Sequence, residues 1–408
     1  METTMDRSHS LLSLSSRDAV RATLVDWFAQ IKRDLPWRVG KNLYGIWISE
    51  IMLQQTSVAA VVPFWHNFMA KFPTVGALAA ADESDVLAAW SGLGYYSRAR
   101  NLHRAAKLIC ENDAGKLPRT RDQWQALPGV GPYAAGAIAS IGLGERVPAM
   151  DANARRVIQR WATTNPAELA ALTLTARNRL VDGFGADLVP VTDPGVWNEA
   201  LMELGALVCG AKKAKCEVCP MTAQCGAFHE GWIQDVPPPS KKVASYGVWV
   251  GQLVVTWRDQ VLLQPPQAPA LIEDFPARKV ARDNFTDLHP GLWSLPSTVW
   301  LHGHEVPQMK SSTWQRRLGL PASALLKDPT LVEVGVVRHA ITKYRLKVSV
   351  YELALDGRRD LPKSWRPLVG QRQPEPKKCG IFYSEKETLP PISQLARKVL
   401  ALQRCAFG

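Results

Sequence analysis

The 408-residue sequence predicts a multidomain protein, an all-α domain followed by a smaller α+β domain. Three observations predict this. From about Asp18 to Ala227 apolar residues recur at three- and four-residue steps, the period of a helix face. "VPPPSKK" at 236–242 then interrupts the pattern with three prolines, which hold an extended spacer. Beyond it "YGVWVGQLVVTW" and "LVEVGVVRHAITKYRLKVSVYEL" read as strands, the second as two strands around a short tip.

The elements follow in order. "METTMDRSHSLLSLSSRD" lacks the charged start and long apolar middle of a signal peptide, so residues 1–17 are expected to be a flexible N-terminus. No apolar run approaches the ~18 residues that span a bilayer, and a cytoplasmic location is expected, with no membrane partner. "DAVRATLVDWFAQIKR", "YGIWISEIMLQQT", "VGALAAADESDVLAAW" and "RARNLHRAAKLICEN" are the first helical stretches, parted by turn signals such as "FPT" and "SGLGYY". About ten short helices are expected. "LPGVGPYAAGAIA" at 127–139 places a tight turn, with Leu127, Gly129 and Gly131, between two helices. Its backbone N–H groups at the start of the second helix can take a phosphate without reading sequence. The expected boundaries are 18–228 for the helical domain, 229–244 for the linker, 245–400 for the second domain and 401–408 for a tail.

"CGAKKAKCEVCPMTAQC" holds four of the seven cysteines, Cys209, Cys216, Cys219 and Cys225, in a loop at 209–225. In a reducing compartment such clustering points to metal rather than disulfides. The spacing leaves zinc and a [4Fe–4S] cluster both open. Cys110, Cys379 and Cys405 stand apart as bystanders. Lys212, Lys213 and Lys215 sit on the pinned loop and make a cationic prong suited to a phosphate backbone. The formal net charge of +12 agrees with a nucleic-acid partner.

Two carboxylates stand out. Glu50 lies within "IWISEIML", a stretch apolar nearly all round, which should raise its pKa and keep it protonated near neutrality. The bland alternative is a buried ion pair. Asp151 precedes "NARRVIQRW", where an Asp is commonly an N-cap.

The hairpin, Asp151 beyond it and the four-cysteine loop resemble the helix–hairpin–helix DNA glycosylases of the endonuclease III superfamily. "LPWR", "WISEIMLQQTSV", "GLGYYSRARNLH", "MDANARRV" and "MELGALVC" resemble one branch, the MutY-type adenine DNA glycosylases. The match covers most of 18–227. It implies a monofunctional enzyme of base-excision repair that acts as a monomer on double-stranded DNA containing A:8-oxoguanine or A:G mispairs. It also implies a [4Fe–4S] cofactor on the four cysteines. Glu50 is then the general acid, Asp151 the group that steadies or attacks the sugar, and Tyr133 and Asn153 the residues that order them. Arg33, Trp37, Leu53 and Glu199 match the adenine pocket. Gln55, Thr56, Leu93 and Tyr95 match residues that wedge into the duplex around the opposing base. Lyase-type relatives carry a lysine at position 133, where Tyr133 cannot form a Schiff base. Leu43 and Ala152 depart from the usual Pro and Gly without touching a reactive group.

"PGLWSLP" and the strand pattern resemble the Nudix-like C-terminal domain of the same family, a sensor of 8-oxoguanine. The Glu-rich helix of a working Nudix hydrolase is missing from the sequence that follows. At the hairpin tip Ile341-Thr342-Lys343 stands for the usual Phe-Ser-His, and Thr342 keeps a hydroxyl for a purine edge. Two other readings compete: a non-enzymatic DNA-binding protein with a structural metal, and an oxidised-pyrimidine glycosylase/lyase. The first would make Glu50 and Asp151 dispensable; Tyr133 and Glu50 disfavour the second.

Overall fold

The computed structural model describes residues 13–14, 16–40 and 42–239, and beyond these 246–257, 260–263, 271–272, 295, 297–301, 332–341, 344–354, 381–384, 396 and 398–401. The chain divides into two compact units, Met1–Lys241 and Lys242–Gly408.

The first unit is helical throughout and built on two cores. Its first helix, α1 (Arg17–Ile31), starts one residue ahead of the expected Asp18, because the Ser16 side chain caps it by accepting from the Ala19 N–H at 3.2 Å. A 3₁₀ turn at Pro36–Arg38 leads to α2 (Leu43–Leu53), capped by Asn42, whose side chain accepts from the Tyr44 and Gly45 N–H groups. Every residue of α2 from Tyr44 to Met52 is buried, so this helix runs through the core rather than over it. Around it pack α3 (Val58–Lys71), α4 (Val75–Ala80), α5 (Glu83–Ala89), α6 (Ser97–Asp113), α7 (Arg121–Gln125) and α8 (Pro132–Leu143). Trp47 of α2 meets Trp124 of α7 with ring centroids 5.4 Å apart. Small residues let α8 enter this core: a Cβ on Gly136 would lie 2.2 Å from the Pro148 carbonyl oxygen.

The second core joins α1 to α9 (Ala152–Ala162), α11 (Leu174–Leu188), α12 (Pro194–Leu207) and α13 (Gly226–His229), with Val20, Leu24, Trp161, Trp197 and Leu201 inside. The short α10 (Pro166–Ala171) lies between α9 and α11. Thirteen α-helices are thus present among the described residues of this unit, more than the ten or so expected, because several turns in the pattern hide helices of four to seven residues. No helix of the described residues is long and apolar enough to cross a membrane.

The second unit is a mixed sheet centred on β1 (Tyr246–Trp257). On one side β1 runs parallel to β6 (Tyr344–Ala354), which pairs antiparallel with β5 (Val332–Ile341). On the other it pairs antiparallel with β4 (Ser297–Leu301) and then with β2 (Gln260–Leu263). The strands β3 (Leu271–Ile272) and β7 (Ile381–Ser384) extend the two ends. Gln252, Leu253 and Val254 are consecutive and all buried, so both faces of the sheet are covered at its centre. Pairing of Ile341 with Tyr344 closes the expected hairpin. Thr342 and Lys343 of its tip lie outside the described residues, as does most of the stretch around "PGLWSLP".

Candidate active site

The two cores of the first unit supply opposite walls of one cavity of about 410 Å³. From α2 come Glu50 and Leu53, and from α8 comes Tyr133. Asp151 and Asn153 stand at the head of α9, and α12 contributes Glu199, Met202 and Glu203. Arg33, Trp37 and Arg38, from the segment between α1 and α2, complete the lining. Every residue expected in the catalytic and base-binding sets therefore faces this one space.

Glu50 is 5% exposed, and its Oε2 has no hydrogen-bond partner among the described residues. Burial is the main cause that pushes its carboxyl up to about 7; the Tyr133 hydroxyl and Arg38 oppose the rise, while the negative charges of Glu199 and Asp151 add to it. With that value about half of the molecules carry the proton near pH 7, where an ordinary carboxyl would have lost it. Tyr133, pushed well above its ordinary range by burial and by Glu50, stays a phenol and also reaches Met202 Sδ at 2.9 Å. Asp151 is both N-cap and site residue. One oxygen accepts from the Ala154 N–H at 2.6 Å and the other from Asn153 Nδ2 at 2.9 Å. Asn153 fits there because Gly205 on α12 carries no side chain, and a Cβ would sit 2.8 Å from Asn153 Cβ.

A four-membered ion network forms the floor. Arg33 pairs with Glu203 through both nitrogens of its fork, the longer contact at 3.0 Å. Arg38 donates to Glu199 at 2.7 Å, to Glu203 at 3.2 Å and to the Arg33 carbonyl at 2.9 Å. Arg38, Met202 and Glu203 were not among the sequence-derived candidates. Their signal was present: Glu199 and Glu203 are one turn apart on a buried helix face, and two such carboxylates need cations, for which "RDLPWR" offers two arginines.

The candidate DNA-facing residues are placed differently from one another. Gln55 and Tyr95 are exposed at turns and hold positive φ angles of 59° and 49°. Thr56 is half-buried, and Leu93, 6% exposed, sits in the first core rather than on a surface. In the hairpin Leu127 is half-buried, while Gly129, at φ +80°, backs onto Asn101, where a Cβ would meet another Cβ at 2.7 Å. Gly131 caps α8 without a side chain, and a Cβ there would meet nothing within 4 Å, so the start of α8 is open to a ligand.

Cys209, Cys216, Cys219 and Cys225 all line one small pocket walled by Trp161, Val208, Phe228 and Ile233. Among the described residues no group of three or more His, Cys, Asp or Glu is placed to hold a single metal ion. Burial pushes the Cys219 and Cys225 thiols up to about 11. Arg160 donates to Cys209 Sγ at 3.2 Å. Lys212, Lys213 and Lys215 are exposed on the loop, and among the described residues none of them enters a salt bridge. The loop folds tightly back at Gly210, where a Cβ would lie 2.4 Å from the Lys213 carbonyl oxygen.

Comparison with known proteins places the chain in a family. Residues 48–181 match the HhH-GPD superfamily of base excision DNA repair proteins, so fold and site define a DNA N-glycosylase. Human adenine DNA glycosylase is 33% identical over 398 residues, covering 88% of this chain and 71% of the human one. The Mycolicibacterium smegmatis adenine DNA glycosylase is 40% identical over 200 residues, 49% of this chain and 66% of that one. A solved thermostable thymine-DNA glycosylase is 27% identical, with a TM-score of 0.48 over 52% of this chain and 97% of its own. The chain belongs to the adenine DNA glycosylase family.

Proposed function

We propose that the chain excises adenine mispaired with 8-oxoguanine or guanine from duplex DNA, by acid-assisted cleavage that leaves the strand intact. The adenine turns out of the stack into the 410 Å³ cavity, against Arg33, Trp37, Leu53 and Glu199. Glu50 gives its proton to a ring nitrogen of the base. The glycosidic bond breaks, its electron pair leaves with the base, and the sugar cation faces the Asp151 carboxylate. Water adds to the sugar carbon and returns a proton to Glu50. Tyr133 and Asn153 hold these two groups. Tyr133 has no amine for a Schiff base, so the strand is not cut. Gln55, Thr56 and Tyr95, with Leu93 beneath them, work against the opposing base. The 127–131 turn and the three loop lysines hold phosphates.

One observation carries this reading: a buried acid, Glu50, pushed up to about 7, shares a cavity with a carboxylate already committed to two donors. The test is single-turnover excision by the full-length enzyme with adenine opposite 8-oxoguanine, guanine and cytosine, read before and after alkali. Excision should be fastest for the first two, with strand breaks only after alkali. Equal rates on all three, or nicking before alkali, would contradict it.

The same reading assigns a [4Fe–4S] cluster to Cys209, Cys216, Cys219 and Cys225. What supports it is four thiols spread around a walled pocket rather than converging on one point, as a zinc ion would need. When bound, the cluster ties the loop covalently and fixes the base on which the lysines stand. A yellow-brown protein with iron and sulfide in equal amounts is expected; colourless protein holding zinc would refute the assignment.

A further inference from the structure

Arg98 opens α6 and is 7% exposed, yet it forms no ion pair among the described residues. Its guanidinium is spent on backbone. Nη1 donates to the carbonyls of Ile51 at 2.9 Å, Met52 at 2.7 Å and Gln54 at 2.6 Å. Nη2 donates to Thr56 Oγ1 at 3.1 Å and to the carbonyls of Leu93 at 3.4 Å and Gly94 at 3.2 Å. The same plane lies over the Trp90 ring at 5.4 Å and the Tyr95 ring at 5.5 Å.

These contacts join two places 40 residues apart in sequence that share an unusual backbone. Directly after the carbonyls of the first comes Gln55, and directly after those of the second comes Tyr95, both in the left-handed region without being glycine. Gln54, the C-cap of α2, has ψ 110°, and its own N–H closes no turn among the described residues; the Thr56 N–H takes the Leu53 carbonyl at 3.1 Å, which leaves the carbonyls on either side of it in need of donors. Arg98 supplies that missing cap from another helix, and Glu50 lies one residue before the first carbonyl it holds.

We propose that Arg98 is a positioning residue that locks the Gln55 turn and the Tyr95 turn into one rigid wedge for the DNA duplex. The inference rests on the reading that these turns enter the duplex. A planar fork with two donating nitrogens held apart serves both turns at once, Nη1 on the Gln55 side and Nη2 reaching across to the Tyr95 side; a lysine has the charge but a single donating centre.

The experiment places the fluorescent base 2-aminopurine beside the target adenine, where unstacking by a wedge raises its emission. It compares wild type with Arg98→Lys, after melting curves confirm that both fold; Arg98→Gln serves if the lysine variant does not. Wild type should raise the emission on binding. Arg98→Lys should bind within about threefold of wild type, lose the rise, and excise at least about tenfold more slowly. On a duplex with an abasic site opposite the adenine, which needs no wedge, its rate should recover to near wild type. A full emission rise with Arg98→Lys, or the same rate loss on both duplexes, overturns the role of Arg98. No rise with wild type itself overturns the wedge reading instead.

Discussion

A carboxylic acid on a helix with no polar face has few options, and Glu50 takes the one that chemistry can use. With Oε2 buried and unpartnered, its neutral form is the cheaper one to keep, and its pKa moves from the ordinary 4.5 to about 7. The sign of the linkage follows. Between those values the folded protein holds a proton that the unfolded chain releases, so this residue makes stability fall as pH rises from about 4.5 to 7. Glu50→Gln should therefore lose excision by at least about a hundredfold while gaining stability at pH 8, on the order of 3 kcal/mol as an upper figure. Denaturant melts at pH 5 and pH 8 check this; the gain should be confined to the higher pH. A second expectation concerns Glu199, whose charge helps to raise Glu50. Glu199→Gln should move the alkaline limb of the rate profile to lower pH, and an unmoved limb would place the coupling elsewhere. The burial of Glu50 was legible from its apolar neighbours, and the capping by Asp151 from its place before a helix. The Arg38–Glu199–Glu203 network was legible only as a need, two carboxylates one turn apart that call for cations; which arginines meet it, 161 to 165 residues away, leaves no local pattern.

Elements rather than single residues decide how DNA is held. The hairpin offers an uncapped helix start at Gly131, and the cysteine loop presents three exposed lysines. Both contacts are to phosphate and carry no sequence preference. Replacing Lys212, Lys213 and Lys215 together by alanine should flatten the slope of log affinity against log salt by up to about three units, at unchanged rate of the chemical step. A slope equal to wild type would mean that the lysines only solvate the loop. Helix α8 makes a different demand. At Gly136 the Pro148 carbonyl occupies the place of a side chain, so Gly136→Ala should misplace Tyr133 and cost several kcal/mol in a thermal melt. Helical periodicity and turn glycines made the larger helices readable. The short α10 and α13 were not, since one turn or two of helix gives no period to count. Equally hidden was the cap that Arg98 supplies to α2, a tertiary bond between segments that read as independent.

At the scale of the whole molecule, the site exists because two cores meet. Glu50 comes from one and Asp151 from the other, and neither core alone carries both groups. The sequence supplied the two helices; only the resemblance to a family supplied their convergence, which the cavity now contains. The second unit, a mixed sheet with both faces covered, stands as a separate body whose hairpin ends at Ile341 and Tyr344. If it reads the lesion, Thr342→Ala in the full chain should narrow the ratio of excision rates opposite 8-oxoguanine and guanine while leaving excision opposite guanine unchanged. An unchanged ratio would remove that hydroxyl from recognition. The central claim, that a proton held by a buried Glu50 breaks the glycosidic bond, is tested most directly by the single-turnover rate of the full-length enzyme across pH. Wild type should lose activity as pH rises through about 7, and Glu50→Gln should be slow at every pH with no such limb. A Glu50→Gln enzyme as fast as wild type, or one that keeps the same limb, would contradict the account.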